Sequence, residues 1–381
     1  MVTEALDFLD KTKAAALAVL EGLERLFTLY YCDPRAIVRR RFRDVRSHAL
    51  DPRSFPLFAD HQYLDPHFPL RRFDPDAVMR WLWGMNLSRN EPVLVAFDLI
   101  FGSESPLKIY RANSNGAACH SSLHHAILNG IYETIERDAL MVVWLDRLSL
   151  PRLEVGATVP DRFALRATLQ ALGLELSYVD LTTDLGIPVL LGIIKDRFNP
   201  NFFLLDMVSA WSVPRLLEKL HRELAQFIFP YLIHQQRYES SISTSFDCNR
   251  VISFPDHLSF YQWSAKHDQA AFLTASPDIR NIGVLPFASA EPDIIEEIDT
   301  LISRLSKYGY EVIVVNCTPA FLERLGLYVI KVLIPGLQPL NAGHRLQVLG
   351  GTRIYELPQR LGLANRPLTV ADLNPWPHPF W

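Results

Sequence analysis

The chain has 381 residues, of which 49% are hydrophobic and 21% charged, and its formal net charge is −4. This composition is typical of a folded globular protein, and the nearly balanced charge gives no general attraction to nucleic acid or acidic membrane surfaces. Glycine is scarce, with 17 glycines against 26 prolines, and neither glycine-rich phosphate pattern, GxGxxG or GxxxxGK[ST], occurs. A nucleotide site in this chain must therefore hold phosphates without a glycine loop.

The cysteines and the N-terminal residues indicate the cellular compartment in which the protein is expected. Four widely spaced cysteines without a CxxC pair indicate neither a disulfide framework nor a zinc knuckle. The first residues contain Glu4, Asp7 and Asp10 and no basic segment, which argues against a signal peptide. No apolar run is long enough to span a membrane. We expect a soluble, cytoplasmic protein that binds neither membrane nor nucleic acid.

Apolar periodicity predicts one mixed α/β domain over residues 1–381, ending in an extended proline-rich tail at 365–381. The predicted helices are 1–30, 121–145, 162–172, 214–229, 293–308 and 319–325. The predicted strands are 93–99, 108–111, 174–180, 189–194, 202–208, 282–286, 311–316 and 328–334. Residues 31–90 are expected to be irregular or short-helical, and 235–255 to form a loop.

The pattern ExxER occurs twice, in LAVLEGLER at 17–25 and in NGIYETIER at 129–137. At 3.6 residues per turn its two glutamates and its arginine share one helix face. Steps of four residues extend each face toward the N-terminus. The first face carries Lys13, Leu17, Glu21, Glu24 and Arg25, and the second carries His125, Asn129, Glu133, Glu136 and Arg137.

Two copies of this motif suggest more than surface ion pairs, which is how a single copy is best explained. Four carboxylates brought together repel one another unless cations lie between them. Oxygen ligands suit Mg²⁺, which also binds phosphate oxygens, and arginines add bidentate phosphate contacts. The repeat therefore favours a nucleotide site built from acids, metal and arginine.

The chain resembles the YcaO family, in particular the azoline-forming cyclodehydratases (D-proteins) that modify ribosomally made peptides. The segment SNGAACHSSLHHAILNGIYETIERDALMVVWL, at 114–145, is similar to the family's SNG…ExxERDA region, and LAVLEGLER is similar to its SxxxExxER motif. PGLQP at 335–339 and the terminal PxPxP are typical of the peptide-modifying branch. The resemblance implies a YcaO-type mixed α/β fold with an internal pseudo-repeat of ExxER helices.

The resemblance also implies an activity and a set of site residues. It implies that ATP and Mg²⁺ are used to convert Cys, Ser or Thr of a precursor peptide into thiazoline or oxazoline by phosphorylating the amide oxygen of the cyclised intermediate. Motif positions assign ATP binding to Glu21, Glu24, Arg25, His125, Asn129, Glu133, Glu136 and Arg137, and metal binding to Glu21, Glu24, Glu133 and Glu136. The tail supplies Pro375, Pro377, Pro379 and Trp381 as catalytic candidates.

Partners follow from the same resemblance. The resemblance extends over nearly the whole chain and its tail, which leaves no room for a leader-binding domain. We therefore expect a separate leader-binding, E1-like partner protein. An azoline dehydrogenase and a homodimer are further expectations.

Two alternatives to azoline formation remain open. One is thioamide or amidine formation on the same fold. The other is a degenerate scaffold subunit, suggested by Leu17 and His125, which replace the family's serine and glutamate. PGLQP and PxPxP argue against the thioamide or amidine reading.

Two other residue groups have simpler explanations. Cys119, His120, His124 and His125 could bind zinc, but no further ligand spacing supports this. The arginines at 39, 40, 41, 43 and 46 could bind an acidic peptide, although such a run is more often a solvated face.

Overall fold

Alternating apolar residues build two sheets in the computed structural model of the chain, which describes residues 11–102, 108–156, 161, 164–199, 202–238, 247–263, 267–286 and 291–380. The strands are β1 (Val38–Arg41), β2 (Val78–Asn86), β3 (Glu91–Ala96), β4 (Ala117–His120), β5 (Arg152–Glu154), β6 (Leu174–Asp180), β7 (Val189–Asp196), β8 (Phe203–Ser209), β9 (Ile279–Asn281), β10 (Ile313–Asn316) and β11 (Tyr328–Leu333). The first sheet has the order β1-β2-β10-β11-β4, with β3 also paired to β2, and the second has the order β8-β7-β6-β5-β9. Pairing is antiparallel except between β5 and β9.

Helices cover both sheets, which confirms the predicted mixed α/β class. They are α1 (Lys11–Arg25), α2 (Phe42–Val45), α3 (Asp60–Leu64), α4 (Leu123–Leu145), α5 (Leu165–Ala171), α6 (Val213–Tyr238), α7 (Phe254–Trp263), α8 (Ile294–Lys307), α9 (Ala320–Arg324) and α10 (Arg353–Arg360). Among the described residues, no helix has both the length and the apolar character needed to cross a membrane.

Helix α4 lies between the two sheets and forms the centre of the main core. Its N-cap is Ser122, whose hydroxyl accepts from the His125 N–H at 3.5 Å. One side packs on Ile330 and Val332 of β11, and another packs on β7 and β8. A Cβ at Gly130 would overlap the Val332 side chain, so this helix approaches the sheet as closely as only glycine permits. The second sheet buries its other face against α6.

Several predicted elements match the structure. The strand predicted at 174–180 coincides with β6, and the helix predicted at 121–145 is α4, starting after the expected serine cap. Helices predicted at 293–308 and 319–325 correspond to α8 and α9 within one residue at each end. The helical period of α8 was unambiguous because that helix buries one face, which carries Ile298, Leu301 and Leu305.

The expectation for residues 31–90 was wrong. This region contains β1 and the nine-residue β2, which lies inside the first sheet and buries Met79, Trp81 and Leu82. Its arginines and prolines hid the strands, because pairing with β3 and β10 outweighs local composition.

Three further expectations were wrong. Residues 108–111 form no strand, and Ile282–Val284 is a short 3₁₀ turn that follows β9. The loop predicted at 235–255 is helical at both ends, in α6 and α7, while 239–246 lie outside the described residues. The first ten residues of the predicted N-terminal helix also lie outside them.

Candidate active site

Both ExxER motifs are helical, one at the end of α1 and one in the middle of α4. Leu23 of α1 packs with Phe27, Val329 and Cys119, whereas α4 packs on the opposite side chains of the same two strands, Ala118 of β4 among them. Successive residues of a strand point to opposite faces. The two motif helices therefore lie on opposite faces of β4 and β11, and β4 is the end strand of its sheet.

Three of the predicted metal ligands, Glu21, Glu24 and Glu133, form what we call the acid cluster. Burial raises the pKa of Glu24 well above its usual value, and the nearby carboxyls of Glu133 and Glu21 raise it further. Burial also raises the pKa of Glu133, against the opposing effect of Arg137. Like charges that raise one another's pKa are stabilised when a cation joins them. The cluster thus has the chemistry of a divalent-cation site.

Each motif arginine pairs with the first glutamate of its own helix. Arg25 Nη2 lies 2.5 Å from Glu21 Oε1, and Arg137 Nη2 lies 3.3 Å from Glu133 Oε1. The remaining Nε and Nη1 of Arg137 are buried and have no hydrogen-bond partner among the described residues. Buried guanidinium donors without acceptors are costly, so they favour an anionic oxygen as ligand.

The charge of Glu136 raises the pKa of Glu133, but Glu136 makes its hydrogen bonds away from the acid cluster. Its Oε1 accepts from the Ser209 backbone N–H at 2.5 Å and from Lys219 Nζ at 2.7 Å. Burial raises the pKa of neighbouring Asp206 well above its usual value, and Glu223 adds to this. Glu136 therefore belongs to a second acidic group, whose other members could not be recognised from the sequence. Among the described side chains, no three His, Cys, Asp or Glu are arranged closely enough to hold a metal as they stand.

Lys331 is a further site residue that was not predicted. Its side chain is 2% exposed, and its Nζ donates to the Asn113 carbonyl. Burial lowers the pKa of Lys331 to about 8, although Glu133 and Glu24 act in the opposite direction. It supplies a positive charge to the acid cluster. The available signal was a lone lysine in the apolar run YVIKVLI.

His125 and Asn129, the N-terminal part of the predicted α4 face, are exposed. The His125 ring stacks on His120 at a centroid distance of 4.7 Å, and His120 Nδ1 accepts from the Ser122 N–H. Burial raises the pKa of Cys119 to about 12, which makes it a poor thiolate. The His125 ring is thus held by its stack on His120, and the predicted parts of His125 and Asn129 in ATP binding stay predictions.

The PGLQP segment is attached to α4 through a hydrogen bond to the buried carboxylate of Asp138, which also pairs with Arg353 of α10. The Gln338 N–H donates to Asp138 Oδ1 at 2.7 Å, and Asp138 accepts from Arg353 Nε and Nη2 at 2.8 to 2.9 Å. Asn113 and Asn115, which flank Ser114 in the SNG turn, both donate to the Leu340 carbonyl. These hydrogen bonds therefore connect the SNG turn, the PGLQP segment and the helix that carries the second ExxER motif.

The C-terminal tail runs into the same region. Its backbone carbonyls accept from buried donors: Trp144 Nε1 to Trp376 O at 3.0 Å and Tyr261 OH to Pro377 O at 2.5 Å. The Phe380 ring then lies 4.1 Å from the Arg137 guanidinium carbon. Trp381 lies outside the described residues. The catalytic parts of Pro375, Pro377 and Pro379 stay predictions, but their segment ends against the arginine of the second motif.

Fold and site together define a mixed α/β protein that gathers acids and arginines where a nucleotide's phosphates and metal could bind. Residues 9–338 match the family model described as "YcaO cyclodehydratase, ATP- and Mg²⁺-binding". The chain belongs to the YcaO family, and this family binds ATP and Mg²⁺.

Known proteins also resemble the chain in part of its sequence or in its fold. An uncharacterised protein of Methanothermobacter thermautotrophicus is 30% identical over 130 residues, which cover 32% of this chain and 33% of that one. A solved heterocyclase in complex with substrate and cofactor matches with a TM-score of 0.81 and 23% identity, over 99% of this chain and 49% of the other. A chain of the E. coli microcin synthetase McbBCD complex matches with a TM-score of 0.58 and 16% identity, over 86% and 80% of the two chains. The chain thus spans about half the length of the heterocyclase.

The residues present fit the family's ligands. The acid cluster offers carboxylate oxygens, and burial raises the pKa values of Glu24 and Glu133, which a bound cation would offset. Arg137 offers two buried donors that have no acceptor among the described residues. Glu21, Glu24 and Glu133 would hold Mg²⁺, and Arg137 with Lys331 would contact phosphate oxygens.

Proposed function

We propose that this protein is an ATP-dependent cyclodehydratase that forms thiazoline or oxazoline rings from Cys, Ser or Thr in a ribosomally made peptide. The observation that carries the proposal is the meeting of the acid cluster, Arg137 and the C-terminal tail in a chain of the YcaO family. Groups suited to binding phosphate, gathered beside the C-terminal tail, suit a reaction that transfers a phosphoryl group from ATP to a peptide.

The proposed reaction has three steps: cyclisation, phosphorylation and elimination of phosphate. The side-chain sulfur or oxygen loses its proton and bonds to the preceding carbonyl carbon, whose oxygen takes the electron pair. That oxygen then bonds to the γ-phosphorus of ATP, and ADP leaves. The amide nitrogen loses its proton and forms C=N as the C–O bond to phosphate breaks. Phosphorylation converts a poor leaving group, oxide, into phosphate.

This chain's own groups would act on charge and position. Arg137 would direct Nε and Nη1, which have no hydrogen-bond partner within the described residues, at the transferring phosphoryl oxygens, and the buried Lys331 would add a second cation. The acid cluster would hold Mg²⁺, which when bound would supply further charge neutralisation. Donors fixed before the reaction stabilise developing negative charge without reorganisation. Glu136 holds its helix in place through Lys219 and Ser209.

We also propose that the enzyme works with a leader-binding partner protein on a precursor peptide. The support is the likeness to a chain of the microcin synthetase complex, a structure of which is described with pro-MccB17 bound. A homodimer and an azoline dehydrogenase partner are part of the same proposal.

The decisive experiment is mass spectrometry of a precursor peptide treated with enzyme, partner, ATP and Mg²⁺. Loss of one water per modified residue, with matching phosphate release, is expected. Exchange of oxygen for sulfur would instead identify a thioamide-forming enzyme, and no change with no phosphate release would indicate a scaffold.

Glu133→Gln links this reaction to the acid cluster. It removes one charge from the cluster, and we expect phosphate release to fall at least about 100-fold, the effect typical of losing one electrostatic contact in a transition state. Glu175→Gln is the matched control, because Glu175 also pairs with an arginine, Arg197, but lies on the second sheet. Equal phosphate release by the two variants would refute the assignment.

A further inference from the structure

A cavity of about 530 Å³, including its open mouth, lies beside the acid cluster. Its walls come from α4, from β11 with the PGLQP segment, and from the chain between residues 55 and 112. Phe55, Leu99 and Tyr110 are among the apolar residues that form most of the lining. Arg137 and Lys331 also line it, so the cavity adjoins the groups assigned above to phosphate.

The cavity also has polar atoms whose hydrogen bonds are unmade. Gln338 is 1% exposed, and its Nε2 donates to the Val348 carbonyl at 2.7 Å, which leaves Oε1 as the remaining group. Within the described part of the chain, neither Gln338 Oε1 nor Arg137 Nε and Nη1 has a hydrogen-bond partner. Unmade bonds of buried groups cost free energy that a ligand can recover. One acceptor and two donors complement an amide, which offers N–H and C=O.

We propose that this cavity holds the side chain of the peptide residue that precedes the cyclised Cys, Ser or Thr, and that it selects an apolar side chain there. The inference rests on the proposed function and adds a substrate preference to it. The attacked carbonyl carbon belongs to that preceding residue, so its side chain begins only one carbon away from the reacting atom. With the carbonyl oxygen at Arg137, that side chain enters the adjoining apolar space.

A nucleobase is the competing occupant. It carries ring nitrogens and exocyclic groups around its whole edge, and those that face Phe55 and Leu99 would be buried without hydrogen bonds. An apolar side chain leaves no such groups unsatisfied. The lining therefore favours the peptide.

The test uses the full-length protein and three capped dipeptides, N-acetyl-Xaa-Cys-N-methylamide with Xaa as Gly, Leu or Phe, titrated by ligand-observed NMR. Binding of the Leu and Phe dipeptides should be about tenfold tighter than that of the Gly dipeptide, the usual discrimination of an apolar pocket. Equal affinities, or no binding of the Leu dipeptide at millimolar concentration, would overturn the inference.

Phe55→Ala removes one wall and should lower the Leu-over-Gly preference about fivefold. Phe73→Ala is the matched control, because Phe73 is also partly buried in the same core cluster but does not line the cavity. Its preference should stay that of the wild type. The ratio of two dissociation constants does not depend on the folded fraction of a sample, so reduced folding cannot imitate the result.

Adenosine provides the last arm of the experiment. Displacement of the Leu dipeptide by adenosine would assign the cavity to the nucleotide base and overturn the inference. Failure of the proposed function would look different. Mass spectrometry would then show no loss of water from the precursor peptide, whatever the affinities of the dipeptides.

Discussion

The two ExxER copies have the same residues in two different environments. In α1 the Glu21 and Arg25 side chains are 31% and 40% exposed, whereas in α4 Glu133 and Arg137 are 19% and 17% exposed. Ion pairs at accessible positions contribute little stability, and buried ones are strongly coupled to their surroundings. The two copies therefore have the same residues, but the Glu–Arg pair is built into the core only in α4.

The residue that follows each motif makes the same distinction. Arg137 is followed by Asp138, which is fully buried and paired with Arg353, whereas Arg25 is followed by Leu26, which is 39% exposed. The α4 copy is thus joined to the PGLQP segment and to α10. We infer that α4 is the rigid half of the site and α1 the adaptable half, and four predictions test this difference.

The largest effect is expected from Arg353→Met, which leaves the Asp138 carboxylate buried without its cation. Breaking one side of a buried ion pair should reduce the free energy of unfolding by about 4 kcal/mol, measured by chemical denaturation. Arg360→Met is the matched control on the same helix, because Arg360 is 45% exposed and lies 3.6 Å from Asp184. It should cost under about 1 kcal/mol. Similar losses in both variants would contradict a rigid α4 network.

Acidification should loosen the tail that covers the α4 arginine. Burial, with a smaller contribution from His344, lowers the pKa of His257 to about 4, against the opposing effects of the His378 carbonyl and Asp256. His257 Nδ1 contacts the His378 carbonyl at 2.8 Å, and the two rings stack at 3.7 Å. Because the folded state keeps His257 neutral, its stability is complete above about pH 6.5 and falls as the pH drops toward 4. The loss approaches about 3 kcal/mol.

Unfolding measured between pH 8 and pH 4 checks this dependence. His257→Gln should flatten the curve over that interval, whereas His124→Gln, at an exposed position of α4, should not. A parallel curve for His257→Gln would show that this histidine does not control the tail.

A smaller effect is expected from Phe380→Leu, which keeps an apolar side chain but removes the aromatic face above Arg137. Cation–π contacts of this kind contribute about 1 kcal/mol. Phosphate release should therefore fall about fivefold with little change in unfolding free energy. Phe380→Tyr should retain activity. If the leucine variant were as active as the tyrosine variant, the ring would have no part in positioning Arg137.

The smallest change in stability is expected from Glu21→Gln in the adaptable half. Its ion pair with Arg25 is accessible to solvent, so the unfolding free energy should change by less than about 0.5 kcal/mol. Glu136→Gln, in the rigid half, removes the charge paired with Lys219 and should cost about 2 kcal/mol. Equal costs for these two variants would remove the contrast between the helices.

Local pattern predicted the elements that carry the site better than it predicted the contacts between them. The 3.6-residue period and Ser122 located α4 because that helix and its cap depend on neighbours in sequence. Spacing also placed Glu136 on the same face as Glu133, but three residues on a helix differ by about 60° in direction. Because of this rotation, Glu136 bonds to Ser209 of β8 and to Lys219 of α6. Neither partner can be predicted from the motif, because both are far away in the sequence.

The sequence by itself determined the family, the two motif helices and the kinds of side chain at the site, since these depend on residue identity and short-range spacing. Tertiary structure decided which acids meet, that Lys331 lies among them, and that Phe380 ends over Arg137. Those contacts join residues far apart in the chain, and their energies come from burial and from charges brought close by folding. The scarcity of glycine argued against a phosphate loop, but only the folded chain brings the acid cluster, Lys331 and Arg137 together.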